Sequence, residues 1–321
     1  MIAGRSTSDL WPALSYPAFE PTRYLLHMML QAVGKLKLAE PFQAQWAEVP
    51  LWLSARGLTT GPIPCAGGVY EVRADFISHE MNWLTSSGAS GQLPLGPGSV
   101  ATFVDTLLDQ LRHAGIEASI NLVPQEVSNP IPFNEDREQR PYDRDLVDAW
   151  WRILLRAQRV LRIFQGRFTG KTQPIGLMWG TMDIRVAFYN GKPASPAPNT
   201  GFIRRNAMNA ELMEMGWWSG NSSYPKPAFY SFTYPQPKGI ENAKVGPKAA
   251  RWDASMGEFL LDYSDLRQSA NPEPADLPRI HLQRWRNHGG LGFRAAGHRP
   301  SGVNLNPAHA IAGEPQRRAV N

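Results

Sequence analysis

Asp183 and Arg185 stand two residues apart, with Trp179 four residues before Asp183, and these three side chains offer the clearest chemistry in the chain. Met182, Ile184, Val186 and Phe188 alternate with Thr181, Asp183, Arg185 and Ala187, which is the period of a strand with one apolar and one polar face. On that reading Trp179, Asp183 and Arg185 share the polar face, where an aromatic ring, a carboxylate and a guanidinium can receive a ligand. The competing reading is a solvated strand face with a snorkelling arginine and a half-covered tryptophan.

Other residues join them as candidates. His79 has the strand parity of Arg73 and Asp75, so a general-base role is conceivable, whereas His27, set in a helical run of Leu and Met, reads as a satisfied core histidine. The candidate catalytic residues are therefore His79, Asp183 and Glu211. The candidate ligand contacts are Arg56, Lys171, Trp179, Arg185, Tyr230 and Tyr234, with Lys171 an anion contact at the edge of a cleft.

The nucleotide and hydrolase fingerprints are missing: there is no GxGxxG, Walker A, GxSxG, HExxH or CxxC. Gly166 to Lys171 imitates a phosphate loop only in composition. No metal set and no cofactor is predicted. The lone Cys65 excludes an internal disulfide framework and fits a reducing cytoplasm.

The elements that must position these groups follow from periodicity. A helix is predicted to start at Pro21-Thr22 and to end before Pro41, and Trp46 to Leu58 reads as a strand. A hairpin follows from Val69 to Phe76 and Glu80 to Leu84. Gly98 to His113 is a helix capped by Ser99, and Ile116 to Val123 is expected to return as a strand. Asp145 to Phe164 is a second long helix. A short helix over Asn206 to Met215 would carry Glu211, and Ala228 to Tyr234 and Glu258 to Tyr263 read as strands.

These elements describe an α+β protein with mainly antiparallel sheet flanked by helices. The order helix, strand, hairpin, helix, strand is loosely echoed after Asp145, so a diverged internal duplication is one reading. Residues 11–272 form a single integrated unit on this account, with halves at 11–125 and 140–272 and a cleft at their junction.

At 321 residues and 42% hydrophobic, the chain can bury a sizeable core. Its formal charge of +5 and pI near 9.4 raise the question of nucleic acid. From His281 to the end, however, six arginines face one acid, which accounts for the whole excess. The basic character belongs to an irregular tail, 281–321, and a nucleic-acid partner is not expected. Tyr24 to Gly34 is too short and too polar at His27 to span a bilayer, and the first residues lack a secretory apolar run. The expected setting is the cytoplasm.

Two functional classes remain. One is a small-molecule enzyme or binding protein with an aromatic-lined polar cleft; the other is a non-catalytic interaction or self-associating protein that uses Trp217 and Trp218 as an interface.

Read in order, Trp11-Pro12, LLHMMLQAVGKLKLA, SARGLTTGPIP, NPIPF, FTGK, WGTMD, FYSFTYPQP and GEFLLDY resemble a bacterial family catalogued only as a domain of unknown function, numbered 5996. The resemblance covers about Trp11 to Asn271 and implies no activity. It does imply histidine at the places held here by Gln139, Gly176 and Ala210, the last preceding Glu211. Three histidines beside a carboxylate would make a metal or acid–base cluster, so this chain would have lost or replaced that chemistry.

Overall fold

The computed structural model describes residues 11–269, so the basic segment from His281 onward lies outside the described residues. The first helix, α1, runs from Tyr16 to Leu36 and is buried on all sides from Leu25 to Leu36. A helix buried all round needs apolar residues on every face, and LLHMMLQAVGKL supplies them except at His27, Gln31 and Lys35. Those three polar residues are spaced by four and form one ridge along the helix. α1 starts earlier than its proline pattern predicts: Pro17 occupies the favoured first turn and Pro21 is accommodated within the helix.

The first sheet holds β1 (Trp52–Leu53), β2 (Gly57–Thr59), β3 (Ile63–Cys65), β4 (Gly68–Asp75), β5 (Glu80–Thr85) and β6 (Ser90–Pro94). Its order is β1-β2-β4-β5-β6 with β3 also on β4, all antiparallel. The single strand expected over Trp46 to Leu58 is broken in two. Ala44–Trp46 is a helical turn, and the hydroxyl of Ser54 accepts from the Arg56 and Gly57 amides to close a tight corner before β2.

α2 (Val100–His113) is capped by the Ser99 hydroxyl on the Thr102 amide, and Gly115 follows its end at φ 78°. The strand expected at Ile116 to Val123 does not form. The ridge on α1 provides the reason: the Lys35 ammonium donates to the carbonyls of Asn121 (2.7 Å) and Val123 (2.5 Å), so this segment finds side-chain donors in place of a neighbouring strand.

α3 (Arg144–Gln165), capped by Asp143, buries Trp150, Ile153, Leu154, Ala157, Leu161 and Phe164. It packs on β8 (Asp183–Pro193) and β9 (Ala210–Trp218) of the second sheet. That sheet also holds β7 (Gly176–Met178), β10 (Ala228–Tyr234), β11 (Arg251–Asp253) and β12 (Glu258–Asp262), in the order β11-β12-β10-β9-β8-β7. α4 (Phe202–Ala207) precedes β9, and α5 (Tyr263–Gln268) follows β12. Glu211 thus belongs to strand β9 and not to a helix over 206–215.

The fold is α+β, with two antiparallel six-stranded sheets and helices packed on them. The sheets meet through one backbone bridge, Leu51 to Leu177, with N···O distances of 2.9 and 2.8 Å. Their strand orders differ, so a duplication is not shown by the topology. A continuous apolar core runs from Trp11 through α1 and α3 to Leu266. Among the described residues no helix is long and apolar enough to cross a membrane.

Candidate functional site

Register decides which side chains of the second sheet share a face. Asp183 pairs with Trp218, Arg185 with Gly216, Gly216 with Tyr230, and Glu214 with Phe232. Directly paired residues point the same way. Asp183, Arg185, Glu214, Trp218, Tyr230 and Phe232 are therefore on one face, opposite the Ile184, Val186 and Trp217 face that enters the core. Glu258, at the start of β12, joins the first set around a cavity of about 350 Å³.

The cavity is roofed by α4 through Ile203, Arg204 and Ala207, and by Trp46. Trp46 is a pin as well as a wall: its indole N–H donates to the Ile203 carbonyl at 2.9 Å, and its ring meets Phe202 edge-on at 5.3 Å. Gln45 beside it donates to Asn209 at 2.8 Å. The start of α4 and the chain just past its end are thereby tied to the Ala44–Trp46 turn.

Polar groups inside the cavity form one chain. The Tyr230 hydroxyl is hydrogen-bonded to Asp183 and lies 3.2 Å from Glu214 Oε1. The Thr181 hydroxyl donates to the other Asp183 oxygen. Arg185 donates from Nη1 to Glu214 Oε2 at 2.9 Å and to Gln173 Oε1 at 2.8 Å. The Glu258 side chain has no hydrogen-bond or ion-pair partner among the described residues, its nearest attraction being the more distant Arg204.

Burial disfavours the charged form of each carboxyl. It pushes Glu214 up to about 7, against the opposing pull of Arg185 and with help from Asp183. It pushes Glu258 up to about 7 as well, with Glu214 and Asp183 adding repulsion. Asp183 is raised by burial even though Thr181 and Tyr230 donate to it. The Tyr230 hydroxyl is held neutral, first by burial and then by the two carboxylates beside it.

The ridge on α1 supports this site from behind. His27 Nε2 lies 2.9 Å from the Trp179 carbonyl and 3.1 Å from that of Gly180, at the turn leading into Asp183. One helical turn on, Gln31 donates to the Gln125 carbonyl and accepts from the Gln125 amide, both at 2.8 Å, which sets Glu126 at the cavity mouth.

Of the residues singled out in the sequence, Asp183, Arg185 and Tyr230 converge in the cavity. The others do not line it. Trp179 falls before β8, where the turn through Met182 (φ 59°) resets the strand parity; its indole donates to Val49 and its ring packs against Gly34. His79 sits in the β4–β5 turn at φ 55°, with Nδ1 3.0 Å from the Tyr142 hydroxyl. Arg56 pairs with Asp75 on the surface, and Glu211 accepts from Asn190. Lys171 reaches Gln45 at 3.2 Å, outside the cavity, and Tyr234 donates to the Ser195 carbonyl at 2.7 Å.

Glu214, Glu258, Trp46 and the α4 residues are not evident from the sequence as site residues. The available signal was parity: in LMEMGWW, Glu214, Gly216 and Trp218 alternate with residues bound for the core. Trp217 is fully buried in that core, so it is not a surface for a partner.

The histidine cluster implied at Gln139, Gly176 and Ala210 does not fit this geometry. Gly176 is level with Gly216 through Arg185, while Ala210 lies six residues away along β9, about 20 Å at strand rise. At Gly176 even a Cβ would stand 2.6 Å from Pro50 Cβ. Among the described residues no group of three or more His, Cys, Asp or Glu is placed to hold a metal ion.

No curated protein and no solved structure matches the chain. A family model matches residues 11–278, a span that contains every element from α1 through α5, and by it the chain belongs to the Family of unknown function (DUF5996).

Proposed function

We propose that the cavity on the second sheet binds a small organic molecule and carries out acid–base chemistry on it, with Asp183, Tyr230 and Glu214 as the working groups. The observation that carries this reading is the Tyr230 hydroxyl set between two carboxyls, one of which ionises near neutrality. A group with a pKa near the working pH exchanges protons at low cost in either direction. Arg185 holds Glu214 in place, and Thr181 orients Asp183.

A purely structural network would also bury polar groups, but it would leave few of them without a partner, and a carboxyl least of all. Glu258 is left without a partner in a cavity walled by Trp46, Trp218 and Phe232, which is the composition of a ligand site. The single, free Cys65 supports a cytoplasmic setting.

The test is denaturing mass spectrometry of the protein purified under native conditions, beside an Ala207→Trp variant whose side chain fills the cavity. A compound released by the parent and missing from the variant is expected. Retention of the same compounds by both proteins would refute the cavity as the binding site.

A second reading has its own observation. Phe42 and Phe202, 54% and 66% exposed, flank Trp46 on the outside and offer an aromatic rim for self-association. Sedimentation of a Phe202→Ser variant checks it: a dimer that dissociates supports the rim, and a monomeric parent removes it.

A further inference from the structure

Burial decides which charges a ligand meets in the cavity. Glu126 and Arg204 lie at the mouth with opposite charge and act inward in opposite senses, Glu126 repelling Glu214 and Arg204 attracting Glu258 from beyond hydrogen-bond reach. Inside are three carboxyls, Asp183, Glu214 and Glu258, against one guanidinium, Arg185. That guanidinium is already committed to Glu214 and Gln173. Asp183 has its donors in Thr181 and Tyr230. Glu258 alone has none, although it is half-buried among Phe232, Met256 and the carboxyls of its neighbours. A carboxyl withdrawn from water without a donor is costly unless something else supplies the hydrogen bond and the opposite charge.

The rest of the lining fits the same kind of visitor. Aromatic faces attract cations through their negative ring centres, and thioethers are soft, polarisable contacts for the carbon atoms next to one. Trp218, Tyr230 and Phe232 supply the rings, and Met178, Met208 and Met256 the sulfurs.

We infer that the ligand of this cavity is a small organic cation, a primary or secondary amine joined to an apolar body, and that Glu258 is the residue that selects it by receiving its ammonium. This rests on the cavity being the ligand site. The ammonium supplies Glu258 with its missing donors, and the apolar body lies against Phe232 and the underside of α4. A neutral alcohol of the same shape would donate one hydrogen bond but bring no charge. An anion would face three carboxyls.

The experiment uses the full chain and a matched set of probes: tyramine, its hydroxyl isostere 4-(2-hydroxyethyl)phenol and the anion 4-hydroxyphenylacetate, together with aliphatic amine and alcohol pairs. Binding is followed by NMR shifts of the Trp46 and Trp218 indole N–H signals. Amines are expected to bind more tightly than their alcohols by about tenfold or more, equivalent to about 1.4 kcal/mol. Glu258→Gln should abolish that preference while leaving the alcohols unchanged, and Glu258→Asp, which keeps the charge, should retain part of it.

Alcohols or anions that bind in the cavity as tightly as amines would overturn the inference and leave the cavity standing as a ligand site. An amine preference that survives in Glu258→Gln would overturn the role of Glu258. Probes of every charge leaving both indole signals unmoved would overturn the ligand-site reading itself and the inference with it.

Discussion

Tyr230 and Asp183 are hydrogen-bonded although their strands do not touch, because Gly216 on the strand between them has no side chain. A Cβ at Gly216 would stand 2.6 Å from the Tyr230 hydroxyl and 2.4 Å from the Ile184 carbonyl. Gly216→Ala is therefore expected to cost about 1–3 kcal/mol through overpacking and to swing Tyr230 off Asp183. Denaturant unfolding measures the first effect, and a crystal structure of the variant shows the second. Unaltered stability and ring position would contradict this packing.

Tyr230→Phe keeps the ring and removes the shared donor. Asp183 then keeps only Thr181 as a side-chain donor, so its carboxyl should titrate still higher than it does in the parent. A loss of about 1.5–3 kcal/mol is expected for the broken hydrogen bond to a charged group. Carbon-detected NMR titration of the Asp183 carboxyl reads the shift, and a downward shift would rule out the hydroxyl as its donor.

Stability should respond to Glu214 and Glu258 in a defined direction. Both titrate higher in the folded chain, at about 7, than the ordinary 4.5. The folded state thus holds protons that the unfolded state has released, and stability is lost as pH rises from about 4.5 through 7. Glu258→Gln should remove part of that slope and gain about 1–2 kcal/mol over the parent at pH 8 relative to pH 4.5, after allowance for solvent screening. Chemical denaturation of both proteins across this range checks it; parallel curves would contradict the half-buried, unpaired state of the Glu258 carboxyl.

His27 acts in the opposite direction. Burial lowers it from 6.5 to about 4, with Arg23 adding repulsion, so its contribution is complete above pH 6.5 and is lost as pH falls toward 4. His27→Gln should flatten this acid limb. At neutral pH it should also cost about 1–3 kcal/mol by unpairing the Trp179 carbonyl, while the Gly180 carbonyl keeps Gln31 as a donor. Amide exchange in the Thr181–Asp183 turn should rise in the variant, and protection equal to the parent's would show that His27 does not hold that turn.

The start of the roof helix is held by one indole. Trp46→Phe retains an aromatic wall but loses the bond to Ile203, and α4 should open more often. Hydrogen exchange at 202–208 is expected to rise by about tenfold, the equivalent of one ordinary hydrogen bond, while exchange in β9 stays constant. Equal change in both segments would mean that α4 is not held separately.

Local periodicity was enough for the parts of the fold that make their own bonds. α2 and α3 carry an apolar stripe and a cap, and β4, β5 and β10 alternate cleanly, so each could be read from its own residues. Asp183, Arg185 and Tyr230 were legible for the same reason, since polar residues on an otherwise apolar strand mark a face that is not packed in the core. The helix expected over Glu211 and the strand expected over Ile116 to Val123 failed where partners lie far off in sequence. Lys35 satisfies the backbone of Asn121 and Val123 across more than eighty positions, and no local pattern at either end records it.

What the sequence alone determined is the menu of elements and the parity of their faces, because period and capping are properties of neighbours along the chain. It also contained the spacing of His27, Gln31 and Lys35, a polar line through a buried helix. What only the tertiary structure decided is the register of β8, β9 and β10, which sets Gly216 between Arg185 and Tyr230, and the crossing of α4 over them. Register is fixed by which residues face each other between strands, so Glu214 and Glu258 became site residues only when the sheet was assembled.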